Sequence, residues 1–182
     1  LNFTVTQEED GSWCALQQWH HLIGDHSTLA FMEQEIGEIL AGRGAQLGVA
    51  QPFRNAVAQA RLALSEAEHE SFFRDMLADI REPVLPFGLS DVHGEGRQIA
   101  CRYQALSSAL NLRLRRQARR LGVSLASLCH LAWAQVLASV SGRDAVVFGT
   151  VLLGRLQGGE GAERALGLFI NTLPLRLDID RR

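Results

Sequence analysis

The chain has 182 residues, 47% of them hydrophobic, and a formal net charge of -2 from 18 Lys and Arg against 20 Asp and Glu. A chain of this length and apolar content builds a packed core, and its near-balanced charge excludes a molecule that meets nucleic acid or an anionic membrane with its whole surface. Its cysteines, Cys14, Cys101 and Cys129, are odd in number, far apart and without Cys-x-x-Cys spacing, which argues against a disulfide framework and a zinc site and fits a reducing cytoplasm.

The first predicted element is a β-hairpin. Leu1, Phe3 and Val5 alternate with Asn2, Thr4 and Thr6, Glu9-Asp10-Gly11-Ser12 is a turn signal, and Trp13 to Ile23 reads as extended again. After Asp25-His26-Ser27 the spacing turns helical, with Leu29, Met32, Ile36, Ile39 and Leu40 on one face, Ser27 as the expected N-cap and Gly42 as the stop. Pro52 precedes a second helical stretch through Phe53, Val57, Ala60 and Leu64. Ser65-x-x-Glu68 is a capping-box signature that opens a third, through Phe72, Phe73, Met76 and Leu77.

Residues 82–96 carry Pro83, Pro86, Gly88, Gly94 and Gly96, the densest run of breakers, and a strand is predicted over Arg97 to Leu106. Ser107 or Ser108 caps a helix with Leu110, Leu114, Ala118 and Leu121 on its apolar face, ended by Gly122. Ser124 caps another, apolar on most sides from Leu125 to Val140 and therefore expected to be buried. Strands follow at Asp144 to Leu153 and Phe169 to Ile179, separated by a Gly-rich loop at Gly154 to Gly161 and a short helical turn near Ala162 to Leu166. The fold class is α/β in two layers, and no apolar stretch exceeds about ten residues, where a membrane span needs roughly 20. No signal-peptide pattern opens the chain.

The densest cluster of chemically able side chains is Trp19-His20-His21-Leu22-Ile23-Gly24-Asp25-His26, at a strand-to-helix junction. In an extended strand His20 and His21 point to opposite faces, so a metal site using all three histidines is sterically awkward. Two readings stay open from the residues themselves. One histidine acts as a general base, its ordinary pKa near 6.5 suiting proton transfer at neutral pH, or the cluster is structural and satisfies local hydrogen bonds.

His20-His21-Leu22-Ile23-Gly24-Asp25 resembles the His-His-x-x-x-Asp-Gly signature of the condensation domains of nonribosomal peptide synthetases, with His26 in place of the glycine. Two further stretches resemble that family in the same order. Val147-Phe148-Gly149-Thr150-Val151-Leu152-Leu153-Gly154-Arg155 is similar to its strand ending in arginine, and Gly167-Leu168-Phe169-Ile170-Asn171-Thr172-Leu173-Pro174 to its Gly-x-Phe-Val-Asn-Thr segment. Pro52-Phe53-Arg54-Asn55-Ala56-Val57-Ala58 is a weaker relative of its Tyr-x-Asp-Phe segment, with Asn55 where an aspartate is usual. The family's upstream arginine-containing motifs and two downstream motifs have no counterpart, so the chain is expected to be the central fragment of a domain.

The resemblance implies a chloramphenicol-acetyltransferase-like fold of two similar α/β halves. Residues 1–85 would be the later part of the N-terminal half, 86–96 the linker and 97–182 the first part of the C-terminal half. It implies amide bond formation between aminoacyl or peptidyl thioesters carried on the phosphopantetheine arms of donor and acceptor carrier proteins, beside an adenylation domain, with no cofactor or metal bound directly. His21 would be the catalytic histidine, as base or by orienting the amine. Asp25 would be structural, paired with Arg155 across the two halves, with His20 beside them. Asn171, His26 and Gly167 would line the substrate channel. A coenzyme-A-dependent acyltransferase of the same superfold and a non-catalytic module that docks carrier proteins are the competing readings.

Other features read as ordinary. His130 near Trp133 reads as a satisfied core histidine. Arg113, Arg115, Arg116, Arg119 and Arg120 form a solvated basic helix surface that could also greet an acidic carrier. Gly158-Gly159-Glu160-Gly161 lacks the Lys-Ser/Thr of a phosphate-binding loop.

Overall fold

The computed structural model describes residues 1–90, 99–157 and 161–180. At the start of the chain β1 (Asn2–Gln7) pairs antiparallel with β2 (Trp13–Gln18), in a register that sets Phe3 opposite Gln17 and Val5 opposite Ala15. The strand does not continue to Ile23 as its pattern suggests. It ends at Gln18, and His21–Ile23 form a 3-10 turn. His20 Nδ1 accepts the Leu22 N–H at 3.1 Å and the His20 carbonyl accepts the Ile23 N–H at 3.0 Å, so the backbone finds its partners locally instead of in a ladder.

Helix α1 spans His26–Leu40, and its N-cap is Asp25, not Ser27: Asp25 Oδ1 accepts the Thr28 N–H at 3.1 Å. A carboxylate matches serine as a cap and adds a favourable charge at the positive end of the helix. Thr28 is buried and Phe31 and Met32 partly so, whereas Ile36, Ile39 and Leu40, expected on the core face, are exposed. Helices α2 (Phe53–Ala63) and α3 (Glu66–Leu77) follow almost without a break. The predicted capping box opens α3, with Glu68 Oε2 accepting the Ser65 N–H at 2.7 Å and Ser65 Oγ accepting the Glu68 N–H at 3.3 Å.

The strand predicted over 97–106 is absent in 99–106, which have no regular structure, and its first two residues lie outside the described residues. Tyr103 there is 95% exposed, so the β-prone side chains find neither a partner strand nor a surface to cover, and a strand needs both. Helix α4 (Ser108–Leu121) is capped by Ser107 and closed by Gly122, and α5 (Leu125–Ser141) is capped by Ser124. Only one side of α5 is buried, by Ala134, Leu137 and Ala138, while Leu131, Trp133 and Val136 are about half exposed. The expectation of burial all round fails because composition says nothing of how many sides have neighbours. Strands β3 (Ala145–Leu153) and β4 (Ile170–Asp178) form a two-stranded sheet. Gly154 N–H bonds the Phe169 carbonyl at one end and Ile179 N–H the Asp144 carbonyl at the other, so the strands run antiparallel.

The chain gathers into two compact units, residues 1–73 with 151–173 and residues 74–150 with 174–182. This division interleaves along the sequence, unlike the halves 1–85 and 97–182 with a linker at 86–96, of which 91–96 lie outside the described residues. The first unit has a core of Ala56, Ala162, Ala165 and Phe169, with Phe53 against it. The second packs Ala134, Leu137, Ala138 and Val146, with Val84, Phe148, Leu177 and Ile179 against them. Helices and strands are mixed, as the α/β class requires, and among the described residues no single helix is long and apolar enough to cross a membrane.

Candidate active site

The first unit contains a buried polar cluster. Asp25, 1% exposed, and Thr28, 2% exposed, lie at the start of α1, and Arg155, 9% exposed, sits in the 3-10 turn Gly154–Gln157 that follows β3. Arg155 Nη2 donates to Asp25 Oδ1 at 3.0 Å and to Thr28 Oγ1 at 3.0 Å, and its Nη1 donates to the carbonyls of Ala165 at 2.5 Å and Ala162 at 3.3 Å. The guanidinium also lies over the Phe169 ring, 4.3 Å from its centroid, and over Phe31 at 5.3 Å. A buried charge is tolerated when it is paired and hydrogen-bonded in this way. Asp25 and Arg155 fall in the same compact unit, so the pair ties α1 to the turn after β3 within that unit, joining residues from the 1–85 and 97–182 segments of the sequence.

Asp25 has little capacity left for chemistry. Besides Arg155 it accepts the Thr28 N–H on Oδ1 and the Phe169 N–H on Oδ2 at 3.0 Å. Burial pushes its carboxyl up, but the hydrogen bonds from Arg155, Phe169 and Thr28, with the arginine charge, outweigh burial and hold it below the usual aspartate value. It is therefore an ionised anchor. Thr28 is as fully engaged: its hydroxyl donates to the Gly167 carbonyl at 2.8 Å and accepts the Gly167 N–H at 3.1 Å as well as Arg155.

Two glycines make the close packing possible. Gly24 has extended backbone, φ 179, open to any residue, but a Cβ on it would lie 2.6 Å from Thr28 Cγ2 and 2.8 Å from Trp19 Cζ3. A Cβ on Gly167 would lie 2.2 Å from Phe53 Cδ2. Both positions are kept bare by their neighbours and not by backbone conformation.

The three histidines have different surroundings. His20 caps the 3-10 turn through Nδ1, so its neutral form carries the ring proton on Nε2. His21 is exposed and its ring stacks on that of Trp19, centroids 6.0 Å apart and planes 22° apart. Among the described residues the His21 nitrogens take no hydrogen bond. His26 is the exposed first residue of α1. His20 and His21 lie beyond the end of β2, so strand alternation does not set them on opposite faces as expected. Among the described residues no group of three His, Cys, Asp or Glu side chains converges as metal ligands would.

Asn171, at the start of β4, is exposed, and its Oδ1 accepts the Thr172 N–H at 2.9 Å. It lines a cavity of about 570 Å³ with Phe53, Ala56, Leu168 and Phe169. His20, His21, His26 and Gly167 do not line that cavity, so it does not unite Asn171 with the histidines. Thr28 escaped the sequence reading, and Trp19 entered it only as a neighbour of the histidines, with no role. The one signal for Thr28 was its place three residues after a capping aspartate, and nothing in the pattern marked Trp19. In the second unit His130 bonds Thr150 Oγ1 at 2.8 Å and packs on Phe148, a satisfied, half-buried histidine. The five arginines of α4 are exposed.

The family model described as "Condensation domain" matches residues 1–182. The chain is 60% identical to malpibaldin synthetase of Mortierella alpina over 98% of its length and 56% identical to malpinin synthetase of the same organism over all of it. It spans only 3% and 2% of the length of those synthetases. The crystal structure of the first condensation domain of the CDA synthetase superposes with a TM-score of 0.66 at 21% identity, covering 98% of this chain and 41% of that one, a likeness of fold.

Proposed function

Because the chain belongs to the condensation-domain family, we propose that its parent is a nonribosomal peptide synthetase in which this region helps to join two carrier-bound acyl units through an amide bond. The donor arrives as an aminoacyl or peptidyl thioester and the acceptor as an aminoacyl thioester, each on the phosphopantetheine arm of a carrier protein. These arms are substrates that belong to the carriers. An adjacent adenylation domain loads a carrier, and the assembly works in the cytoplasm.

In this reading the acceptor nitrogen attacks the donor carbonyl, the tetrahedral intermediate collapses, and the pantetheine thiol leaves with the proton that the amine gives up. His21 is the residue we assign to that step. The observation that supports it is its place as the second histidine of the His-His-x-x-x-Asp run, with an exposed imidazole whose nitrogens are free among the described residues, whereas Asp25 is buried with both carboxylate oxygens occupied and His20 is held as a turn cap. An α-amino group with a pKa near 8 is already partly neutral at pH 7 to 8, so orienting it and hydrogen-bonding the intermediate can supply the acceleration without strong base catalysis. Asn171, beside its cavity, is proposed to hydrogen-bond a thioester or pantetheine amide through its side chain.

The test is single-turnover amide formation between loaded donor and acceptor carriers by the full-length parent, wild type against His21→Ala. A loss of roughly 10²- to 10⁴-fold with unchanged folding is expected. Wild-type turnover in the variant, or transfer only from acyl-coenzyme A, sinks the reading.

A further inference from the structure

His21 stands on a three-residue turn with no strand ladder to hold it, and a ring that must meet a substrate nitrogen has to be kept in one orientation. The support comes from Trp19. The indole is half-buried, and its ring lies offset against the imidazole with centroids 6.0 Å apart and planes only 22° apart, while the imidazole nitrogens take no hydrogen bond among the described residues. The indole is itself confined, because its Cζ3 and the Thr28 methyl converge on the space that a side chain at Gly24 would fill. The Thr28 hydroxyl is in turn bound to Arg155 and to Gly167. A continuous path of contacts therefore runs from the buried Asp25–Arg155 pair through Thr28, Gly24 and Trp19 to the exposed imidazole.

We propose that Trp19 is the positioning residue of the site, a platform that sets the plane of the His21 ring and transmits to it the rigidity of the buried cluster. Gly24 keeps the seat of the indole open and Thr28 borders it. The assignment rests on the reading that His21 takes part in amide formation. It predicts that losing the indole slows the chemical step and leaves carrier binding alone, since Trp19 acts through His21.

The experiment is a double-mutant cycle on the full-length parent, following amide formation from loaded donor and acceptor carriers. Trp19→Leu is expected to lower the single-turnover rate roughly tenfold or more, while the acceptor-carrier concentration giving half the maximal rate stays unchanged. Trp19→Phe, which keeps an aromatic platform, is expected to restore most of that rate. In a His21→Ala background the removal of Trp19 is expected to cost nothing further. Should Trp19→Leu fail to fold, Trp19→Met, whose longer side chain fills more of the indole's space without an aromatic face, replaces it and is expected to slow the same step. Equal losses with and without His21, a Phe variant no better than the aliphatic one, or a full rate in the aliphatic variant would each overturn the platform. A slow His21→Ala with a fast Trp19→Leu overturns the platform alone, whereas a fast His21→Ala overturns the role of His21 and the platform with it.

Discussion

At the scale of single residues, the functional signature separates into parts with different work. Asp25 and Arg155 are both almost wholly buried and hydrogen-bonded to the backbone around them, so removing one leaves the other as an uncompensated buried charge. Asp25→Ala is expected to destabilise the chain by about 3 to 5 kcal/mol, read from its urea midpoint, and any activity lost with it reflects a loosened fold. The same pair predicts a pH dependence of defined sign. The Asp25 carboxyl is held below its ordinary value of about 3.9, so it adds stability at pH above that value and loses the contribution as pH falls through its lower native value. Wild type should therefore lose its advantage over Asp25→Asn only below about pH 4, and an advantage that vanishes near neutrality would contradict the assignment. His21 was legible in the sequence because of its motif. Thr28 and Trp19 were not, because a hydroxyl shared among four groups and a ring stacked on its neighbour leave no periodic trace.

At the scale of elements, the serine caps and the capping box were read well, because both partners lie within three residues of one another. The Ser65 and Glu68 capping box, the Ser107 and Ser124 caps and the left-handed stop at Gly122 are all formed as expected. Ser65→Ala removes one arm of an exposed capping box and is expected to cost about 1 kcal/mol in thermal or urea unfolding, with α3 fraying at its first turn; no measurable change would mean that packing alone sets the start of α3. The misreadings have a common cause. Ser27 and Asp25 are both good caps, and the choice fell to Asp25 because Arg155 and Phe169, more than 100 residues away in sequence, hold that carboxylate in place. The strand expected at 97–106 had the right residues and no partner, and α5 had an apolar composition with neighbours on one side only.

At the scale of the whole molecule, the 182-residue chain spans a few per cent of the synthetases it resembles and keeps much apolar surface in water. On the opening hairpin Leu1, Val5, Trp13 and Leu16 are each more than half exposed. Exposed apolar strands associate, so the purified chain is expected to self-associate in sedimentation experiments and bind a hydrophobic dye, and Val5→Glu with Trp13→Glu should reduce both. A monodisperse, dye-silent chain would show that this face is tolerated in water. The α/β class, the family, the serine caps and the histidine at the junction are legible in the amino-acid order alone, since these depend on side-chain chemistry and spacing along a few consecutive residues. Packing in three dimensions sets the rest: segment 151–173 joins residues 1–73, Asp25 is an anchor with no free oxygen, and Gly24 and Gly167 are bare to admit Trp19 and Phe53. Those outcomes depend on which distant atoms compete for one small volume, and steric competition of that kind is a property of the packed chain, not of any stretch of it.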